Sequence, residues 1–333
     1  MSGSHKVSVE EMVLVLEKES ITVETKGPPD IAADHLRSLE EADAECLTFY
    51  NGQDSEKVRH LKDCVLVCMP GVEPPDDRVS RLETDRPKLA FYILAQQFNK
   101  PLPAAGVHPT AVVDPQAEVH PSASIGPYCV LGACKVDEDA VIMGQVTIYD
   151  DSRIGSRTII EPGTCIGPTG QIWAWGLDGK RWIMPQVGGV RIEEDCYIGS
   201  NVSIVRGALQ DTVLRKGARI AHGSMIGHNC YIGRETFLSN RVAMAGSTTI
   251  GDYCFLGSGS VFRPGVVVGD YIVVGAGAVV TKNFEDKGLV LVGAPAKILK
   301  KQEKGELVSG VPVIPASADR SEERRVGKEC ATG

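Results

Sequence analysis

Two histidines and one glycine are the residues whose types and spacing best fit acid–base chemistry. His222 and His228 lie six residues apart, and Gly246 follows His228 by 18 residues. Histidine is the side chain best suited to take up a proton near neutral pH. A glycine lets a substrate approach its backbone N–H, which can stabilise an oxyanion. The pair His228 and Gly246 therefore predicts a general base beside an oxyanion donor, provided that the fold brings the two together.

Other chemistries find less support in the sequence. A three-histidine zinc site would need a third histidine near His222 and His228, and none is there. The sequence contains no Walker A motif, no G-x-S-x-G elbow and no C-x-x-C pair, so we predict no metal site and interpret the cysteines as buried thiols. His108 and His120 lie in similar Val-His-Pro turns and are interpreted as structural. A corner histidine can have that role too, so both interpretations of His228 stay open at this point.

A six-residue repeat is the element that would position these residues. A large apolar residue recurs at every sixth position from Ile220 to Val280, and a small or β-branched one, such as Cys230 or Cys254, follows each by four residues. Neither a helix, with period 3.6, nor a strand, with period 2, produces this spacing. A short fixed repeat is typical of a solenoid, here a parallel β-helix. Three hexads make one triangular coil, so residues 18 apart in sequence stack at about 4.8 Å.

The extent of the repeat sets the predicted domains. Residues 1–105 lack the repeat and are predicted to form a small α/β domain, with helices in EEMVLVLEKE and RPKLAFYILAQQF and strands in CLTFY and DCVLVCM. Residues 106–283 are predicted to form the β-helix, and 284–303 a loop with a short basic helix. Residues 304–333 are predicted to be a disordered tail, partly artefactual, because RSEERRVGKEC resembles a translated sequencing adapter.

An insertion at residues 168–190 interrupts the repeat and contains Trp173, Trp175 and Trp182. A long tryptophan-rich loop leaving a solenoid favours a functional role or packing on a neighbour. The alternative is a loop folded back on its own coil.

Composition excludes several classes of protein. The net charge of −8 argues against a nucleic-acid or anionic-membrane surface. Aromatic residues make up only 5% of the chain, and 36 glycines suit a narrow solenoid interior. The first residues show no apolar signal segment, and no run approaches the roughly 18–20 apolar residues of a membrane span. We therefore expect a cytoplasmic protein without a transmembrane segment.

The stretch 141–233 resembles the UDP-3-O-acylglucosamine N-acyltransferases of lipid A synthesis. The matching pieces are QVTIYDDSRIG, MPQVGGVRI, SIVRGALQDT and the IGHN that holds His228. The resemblance extends to LTFYN in the N-terminal domain and to GVHPTAVV at the start of the repeat, and it covers about residues 40–280. It implies a left-handed β-helix assembled as a homotrimer, with active sites between subunits. It also implies that His228 is the general base and Gly246 the oxyanion donor.

The same resemblance implies an acceptor site for a UDP-linked amino sugar. Phe49 matches the family's aromatic residue that stacks on uracil, and Asn51 matches its hydrogen-bonding asparagine. We add Trp173, Trp175 and His222 as candidate substrate-binding residues.

The sequence also departs from that family. A second active-site histidine would align near Gly265 and is missing, and the tyrosine expected downstream of LTF has no counterpart. Ala221 and Met225 replace polar residues before the catalytic histidine. In place of the family's long C-terminal helices, GAVVTKN and VGAPAKILKK resemble the end of CoA-dependent sugar acetyltransferases. Gly275, Ala294 and Lys297 are therefore the candidate donor-binding residues.

Three functions follow from these features. The leading hypothesis is an N-acyltransferase that uses a 3-hydroxyacyl carrier protein and acts on a UDP-linked glucosamine derivative, with no bound cofactor. The alternative is an acetyl-CoA-dependent N-acetyltransferase of a nucleotide-linked amino sugar for surface glycans. The third is a non-catalytic β-helix scaffold, which loss of one histidine fits and retention of His228 with Gly246 opposes.

Overall fold

The computed structural model describes residues 6–303 and 310–312. The chain divides into two compact units, Met1–Pro101 and Leu102–Gly333. The tail predicted at 304–333 lies outside the described residues, apart from 310–312.

The N-terminal unit is a small α/β fold. Its elements are β1 (Val7–Ser8), α1 (Val9–Lys18), β2 (Glu24–Lys26), β3 (Ala32–Ala33), β4 (His35–Leu36), β5 (Cys46–Tyr50), β6 (Cys64–Cys68), β7 (Val79–Glu83) and α2 (Pro87–Ala95), with 3₁₀ turns at Leu39–Glu41, Ser55–Val58 and Gln96–Phe98. The sheet has the order β2-β7-β6-β5-β4, with β4 to β7 parallel and β2 antiparallel. Ser8 and Glu11 form a capping box that starts α1 where the predicted helix begins. Met12, Leu16, Leu47 and Leu94 pack the core between helices and sheet.

The second unit is the parallel β-helix that the repeat predicts, with the left hand that the family resemblance implies. Its strands form three faces. The first face contains β8 (Gly106–Val107), β11 (Ser124–Ile125), β14 (Val141–Ile142), β17 (Ile159–Ile160), β22 (Tyr197–Ile198), β25 (Arg219–Ile220), β28 (Phe237–Leu238), β31 (Phe255–Leu256), β34 (Val273–Val274), β36 (Leu289–Val292) and β37 (Lys297–Lys301). The second face contains β9 (Val112–Val113), β12 (Val130–Leu131), β15 (Thr147–Ile148), β18 (Cys165–Ile166), β23 (Ser203–Ile204), β26 (Met225–Ile226), β29 (Ala243–Met244), β32 (Val261–Phe262) and β35 (Val279–Val280). The third face contains β10 (Glu118–Val119), β13 (Lys135–Val136), β16 (Ser152–Ile154), β21 (Val190–Ile192), β24 (Thr212–Leu214), β27 (Tyr231–Ile232), β30 (Thr249–Ile250) and β33 (Val267–Val268).

The interior of the β-helix is closed by the repeated apolar residues. Ile220, Ile226, Ile232 and Leu238 are each fully buried, as is Phe262 to within 1%. Cys230 and Cys254 face inward as the repeat predicts, and burial raises the pKa of Cys254 to about 12 and that of Cys230 to about 11. Thiols held this far from ionisation are unreactive packing groups.

Many corners of the β-helix contain one residue in the left-handed backbone region. Asn201 (φ 56°), Asn229 (φ 57°) and Ser247 (φ 61°) take this conformation at corners of the central coils. Asparagine tolerates it better than most side chains, which explains its use in these turns.

The C-terminal segment corrects one prediction. The short basic helix predicted within 284–303 is wrong, because Lys297–Lys301 is a strand that pairs antiparallel with Leu289–Val292. Without β37, the outer edge of β36 would have unpaired backbone groups. The turn around Gly293 reverses the chain, so that β37 pairs with that edge. These backbone hydrogen bonds outweigh the modest helix propensity of KILKK.

Candidate active site

His228 and Gly246 stack on the same corner of the β-helix. β26 pairs in register with β29, with Met225 opposite Ala243 and Ile226 opposite Met244, so the next residues along each strand also align. A Cβ placed on Gly246 would overlap His228 Nε2 and Cε1, which shows how closely the ring covers this glycine. The stacking predicted from the 18-residue spacing is present, and Nε2 is the ring nitrogen that faces Gly246.

The backbone N–H of Gly246 differs from those of its two neighbours in its hydrogen bonding. Its neighbours donate to the adjacent coils, Ala245 to the carbonyl of Phe262 at 3.1 Å and Ser247 to the carbonyl of His228 at 2.8 Å. Within the described part of the chain, the Gly246 N–H donates no hydrogen bond. A free N–H beside an imidazole nitrogen is the arrangement that general-base attack on a carbonyl requires.

Asn229 holds the other side of the His228 ring. Its Oδ1 lies 3.0 Å from His228 Nδ1 and accepts a hydrogen bond from the Ala208 N–H, also at 3.0 Å. Its Nδ2 donates to the Gln210 carbonyl at 3.2 Å, and its backbone N–H donates to Thr212 Oγ1 at 2.9 Å. Residues 207–211 thus form a corner loop, directly below His228, that fixes the asparagine.

This loop is what the sequence analysis missed. Ile204 and Leu214 occupy consecutive inward positions ten residues apart, four more than the repeat allows. That slip in register, directly under a candidate catalytic histidine, is the signal that could have identified Asn229 and the loop.

His222 differs from His228 in its hydrogen bonding. It follows β25 at the corner between the first and second faces, and its Nδ1 accepts a hydrogen bond from the Ser200 N–H at 2.9 Å. A neutral ring bonded in this way carries its proton on Nε2, so Nε2 can donate a hydrogen bond and has no lone pair to accept one. The structure therefore gives His222 a role in the turn, and its predicted contact with substrate stays a prediction.

The tryptophan insertion forms an antiparallel hairpin. β19 (Trp173–Trp175) pairs with β20 (Arg181–Ile183), and Trp173 and Trp175 are 49% and 60% exposed. The Arg181 guanidinium lies over both rings, 5.3 Å from the centre of Trp173 and 4.7 Å from that of Trp175. The hairpin leaves the corner that carries His228, because Arg206, in register below His228, donates its N–H to the carbonyl of Pro168.

The donor candidates meet at the last coil. The Gly275 N–H donates to the Leu291 carbonyl at 2.8 Å, and a Cβ on Gly275 would lie 3.1 Å from Val292. Ala294 and Lys297 are exposed in the turn and strand that follow. Gly275 lies after β34, at the corner where His222 lies lower down, so the second face separates these residues from the His228 corner.

The uridine candidates lie in the N-terminal unit. Phe49, on β5, is half-buried and stacks on Phe91 with ring centres 4.6 Å apart. Tyr92 meets the same ring edge-on at 6.5 Å. Asn51 is exposed directly after the strand ends. Phe49 thus belongs to an aromatic cluster at the carboxyl end of a parallel strand, a usual position for ligand contacts in α/β sheets.

Arg206, the charged residue below His228, forms an ion pair. It donates to the Gly188 carbonyl at 2.7 Å and to Asp151 at 2.8 Å. Glu193 follows β21 at a different corner, between the third and first faces, where burial opposes ionisation of its carboxyl but hydrogen bonds from Arg191 and Arg215 hold its pKa below the ordinary value. Residues 6–303 and 310–312 contain no cluster of three or more His, Cys, Asp or Glu side chains able to hold a metal. In the same residues no helix has the length and apolar character needed to cross a membrane.

Two family models of six-residue repeats match the β-helix. The model described as "Bacterial transferase hexapeptide (six repeats)" matches residues 247–282. The model described as "Hexapeptide repeat of succinyl-transferase" matches residues 189–224.

Several curated proteins are similar over most of the chain. A UDP-3-O-acylglucosamine N-acyltransferase of Herminiimonas arsenicoxydans is 32% identical over 266 residues, 71% of this chain and 74% of that protein. One from Janthinobacterium sp. (strain Marseille) is 36% identical over 265 residues, with the same coverage. The match to a Bordetella pertussis protein of the same name is 35% identical over 53% of this chain and 55% of that protein.

Solved structures show the same fold. The UDP-N-acetylglucosamine acyltransferase of Francisella novicida aligns with a TM-score of 0.54 and 25% identity, over 59% of this chain and 70% of that chain. The UDP-N-acetylglucosamine O-acyltransferase of Moraxella catarrhalis aligns with a TM-score of 0.50 and 25% identity, over 60% of this chain and 76% of that one.

Proposed function

Because the chain belongs to the UDP-3-O-acylglucosamine N-acyltransferase family, we propose that it transfers an acyl group from a thioester to the amine of a UDP-linked glucosamine derivative in lipid A biosynthesis. The observation that carries the proposal is the stacking of His228 Nε2 over Gly246, whose N–H is free within the described residues. A non-catalytic scaffold has no need for this arrangement.

The proposed reaction uses both groups at once. The sugar amine attacks the thioester carbonyl and forms the C–N bond, while His228 Nε2 takes the proton that the amine loses. The Gly246 N–H stabilises the negative charge that develops on the carbonyl oxygen. The C–S bond then breaks, and the imidazolium returns its proton to the leaving thiolate. No metal or bound cofactor is needed for these steps.

The acceptor is proposed to bind through its uridine and its sugar separately. Phe49 offers an aromatic face for uracil, within the cluster that it forms with Phe91 and Tyr92. Asn51, exposed at the end of the same strand, supplies a hydrogen bond to the base. Trp173 and Trp175 are proposed to cover the sugar, since flat exposed indoles suit a carbohydrate ring.

The acyl donor is proposed to be a 3-hydroxyacyl carrier protein. A second candidate, an acetyl-CoA-dependent N-acetyltransferase of a nucleotide-linked amino sugar, is favoured by one observation. In the described residues the β-helix is followed by the strand pair β36–β37 with no helix, and Gly275, Ala294 and Lys297 gather there. The donor panel described below distinguishes 3-hydroxyacyl carrier protein from acetyl-CoA.

The enzyme is proposed to be a cytoplasmic homotrimer. The outward residue of each second-face strand is uncharged: Val112, Val130, Thr147, Cys165, Ser203, Met225, Ala243, Val261 and Val279. Met225 and Val261 are 60% and 41% exposed. An uncharged exposed face of this height suits contact with a second copy of the chain. His228 lies at its edge, so such a contact would place the active site beside the neighbouring subunit.

A donor panel tests the proposal. Purified protein is given UDP-3-O-acylglucosamine or UDP-linked amino sugars, with 3-hydroxyacyl carrier protein and acetyl-CoA in parallel reactions. Amide product from the carrier protein supports the lipid A assignment, and product from acetyl-CoA alone supports the second candidate. Absence of product from every pair, with correctly folded protein, would leave the scaffold as the remaining function.

A further inference from the structure

We infer that Arg263 and Lys282 form a phosphate-binding site on the His228 corner and bind the diphosphate of the nucleotide-sugar acceptor. The inference rests on the proposed function, which supplies that acceptor. In a UDP-linked glucosamine, the diphosphate is attached to the ring carbon next to the one that bears the amine. An amine placed at His228 Nε2 therefore brings the diphosphate to the same corner of the β-helix.

Strand register places both cations on the coils above Gly246. β29 pairs with β32, so Arg263 lies one coil above Ala245. β32 pairs with β35, so Lys282 lies two coils above Gly246. The Gly265 N–H donates to the Gly246 carbonyl at 3.0 Å, which joins the turn after Arg263 directly to this glycine. Successive coils are about 4.8 Å apart, so both long side chains can reach a diphosphate bound beside Gly246.

The charges of both cations are uncompensated. Arg263 Nη1 donates to the Thr281 carbonyl at 3.3 Å, and the Lys282 ammonium lies 5.4 Å from the centre of the Phe284 ring. Among residues 6–303 and 310–312, neither cation forms an ion pair with a carboxylate. Both residues are exposed, and their like charges on neighbouring coils repel each other. A bound dianion would offset this repulsion.

The other cations near this corner already have partners. Arg206, one coil below His228, contacts Asp151 at 2.8 Å and the Gly188 carbonyl at 2.7 Å, and its side chain is only 13% exposed. In the hairpin, Arg181 lies over two tryptophan rings. On the part of this corner that the structure describes, Arg263 and Lys282 are therefore the cations whose charge is available to a ligand.

The turn beside these cations is open to a ligand. A Cβ built on Gly265, which has φ 71°, would come within 4 Å of no atom of the described residues outside the turn itself. Side chains therefore do not crowd the approach to Arg263. The planar guanidinium offers two parallel N–H donors that match the geometry of a phosphate, and the lysine ammonium adds a point charge.

The donor contains a second phosphate, the phosphodiester of the pantetheine arm that CoA and acyl carrier proteins share. That phosphodiester lies at the opposite end of the arm from the thioester, whereas the diphosphate of the acceptor is next to the reacting amine. The donor candidates Gly275 and Lys297 also follow strands of the first face, at another corner. Both points favour the acceptor as the source of the bound phosphate.

Substitution of each cation tests the site through the KM values of the two substrates. Arg263→Gln should raise the acceptor KM by about tenfold with little change in kcat, because a charge-assisted hydrogen bond present before and during reaction is lost. Arg263→Lys keeps the charge without the fork and should have a smaller effect. The double variant with Lys282→Gln should raise the acceptor KM further, and the donor KM should keep its wild-type value throughout.

Arg153→Gln is the matched control. Arg153 is an exposed outward residue of β16 on the third face, and it also forms no ion pair in the described part of the chain. This substitution removes the same positive charge from the protein away from the His228 corner. It should therefore leave kcat and both KM values unchanged.

Calorimetric binding of UDP and of uridine measures the site without acyl transfer. The wild type should bind UDP more tightly than uridine by about tenfold or more, because only UDP has the diphosphate. The double variant should lose most of this preference while its affinity for uridine stays the same. Arg153→Gln should keep the wild-type preference.

An unchanged acceptor KM in the double variant would overturn the inference. A rise confined to the donor KM would also overturn it, and would assign the two cations to the phosphodiester of the donor. Equal affinity of the wild type for UDP and uridine would do the same. Failure of the proposed function gives a different result, with no amide product from any wild-type reaction, and the calorimetric comparison still decides whether the two cations bind the diphosphate.

Discussion

At the residue scale, the proposed site consists of the His228 imidazole, the Gly246 N–H and the amide of Asn229, whose Oδ1 lies 3.0 Å from His228 Nδ1. His228 and Gly246 do not touch through side chains, since glycine has none, and their association depends on strand register alone. The same register gives His222 a neighbouring position without the same chemistry, because a backbone N–H occupies its Nδ1. Residue type alone therefore does not distinguish the two histidines, whereas their hydrogen-bond partners do.

Gly246→Ala tests the close approach at the site. The added methyl group would overlap the His228 ring and obstruct the N–H, so kcat should fall by about 10²–10³, the usual effect of losing one oxyanion donor. Steady-state kinetics measures this effect. Gly144→Ala is the control, because its methyl group would lie 3.1 Å from Pro127 in the lower coils, and it should keep normal kcat. Full activity in Gly246→Ala would remove this glycine from the mechanism.

At the element scale, strands of two residues are stable because each coil pairs with those above and below it. The inward apolar residues form one continuous column, in which Phe262 is the largest fully buried side chain. Loss of volume inside such a column leaves a cavity that the short, rigid coils cannot close.

Phe262→Ala is therefore expected to lower the free energy of unfolding by about 3–5 kcal/mol. Phe237→Ala is the matched comparison, because Phe237 is 36% exposed and stacks on Phe255 from outside the column. The Phe237→Ala substitution should lower the free energy of unfolding by only about 1 kcal/mol. Urea denaturation followed by circular dichroism measures both, and equal losses would contradict the assignment of the core.

The N-terminal sheet contains a pH-sensitive contact at its edge strand. A hydrogen bond to Asp34 and another to Asp43, at 2.6 Å, raise the pKa of His35 above its ordinary value, and the same contact lowers the pKa of Asp43. The raised pKa gives a stabilisation that is complete below about pH 6.5, the unfolded value, and disappears as pH rises through the folded pKa. The lowered pKa of Asp43 also gives a stabilisation, which is present at higher pH and disappears as pH falls through the folded pKa of Asp43.

Hydrogen exchange of peptides covering 30–50 should therefore show greater protection at pH 6 than at pH 8.5 after correction for the intrinsic exchange rate. His35→Gln should remove most of this difference, and His60→Gln, an exposed histidine of the same unit, should keep it. Equal protection of the wild type at both pH values would show that the contact of His35 with Asp34 and Asp43 does not stabilise this segment.

The sequence predicts most of the architecture but only part of the site. A strict period of six defines which residues point inward and which coils stack, so the His228–Gly246 pair follows from counting. The corner loop could not be derived in this way, because its hydrogen bonds to Asn229 depend on how an irregular backbone folds. The basic terminal segment was predicted as a helix from local composition, whereas the open edge of β36 turns it into a strand. A regular sequence pattern is enough to predict the stacked repeat, whereas the irregular contacts of the corner loop can be seen only in the three-dimensional structure.

At the scale of the whole molecule, the second and third faces of the β-helix differ in chemistry. The second face presents uncharged residues, while outward positions of the third face include Glu118, Lys135, Arg153 and Arg191. This contrast suggests which face meets another subunit.

Sedimentation velocity tests the proposed trimer. The wild type should sediment at about three times the chain mass of 35.6 kDa. Val261→Glu places a charge on the second face and should shift the protein towards monomer with loss of activity, because burying an unpaired carboxylate is unfavourable. Thr249→Glu, on the third face, should sediment as the wild type. A wild-type monomer with full activity would contradict a site shared between subunits.

The most direct measurement of the central claim is amide formation on UDP-3-O-acylglucosamine, followed by mass spectrometry, with wild type and His228→Ala in parallel. The account predicts turnover by the wild type and a fall of about 10²–10⁴ in kcat for the variant, the range for a positioned base. His120→Ala, at a turn histidine interpreted as structural, should retain the wild-type kcat. A His228→Ala protein that keeps more than about half of the wild-type rate, far above that range, would contradict the account.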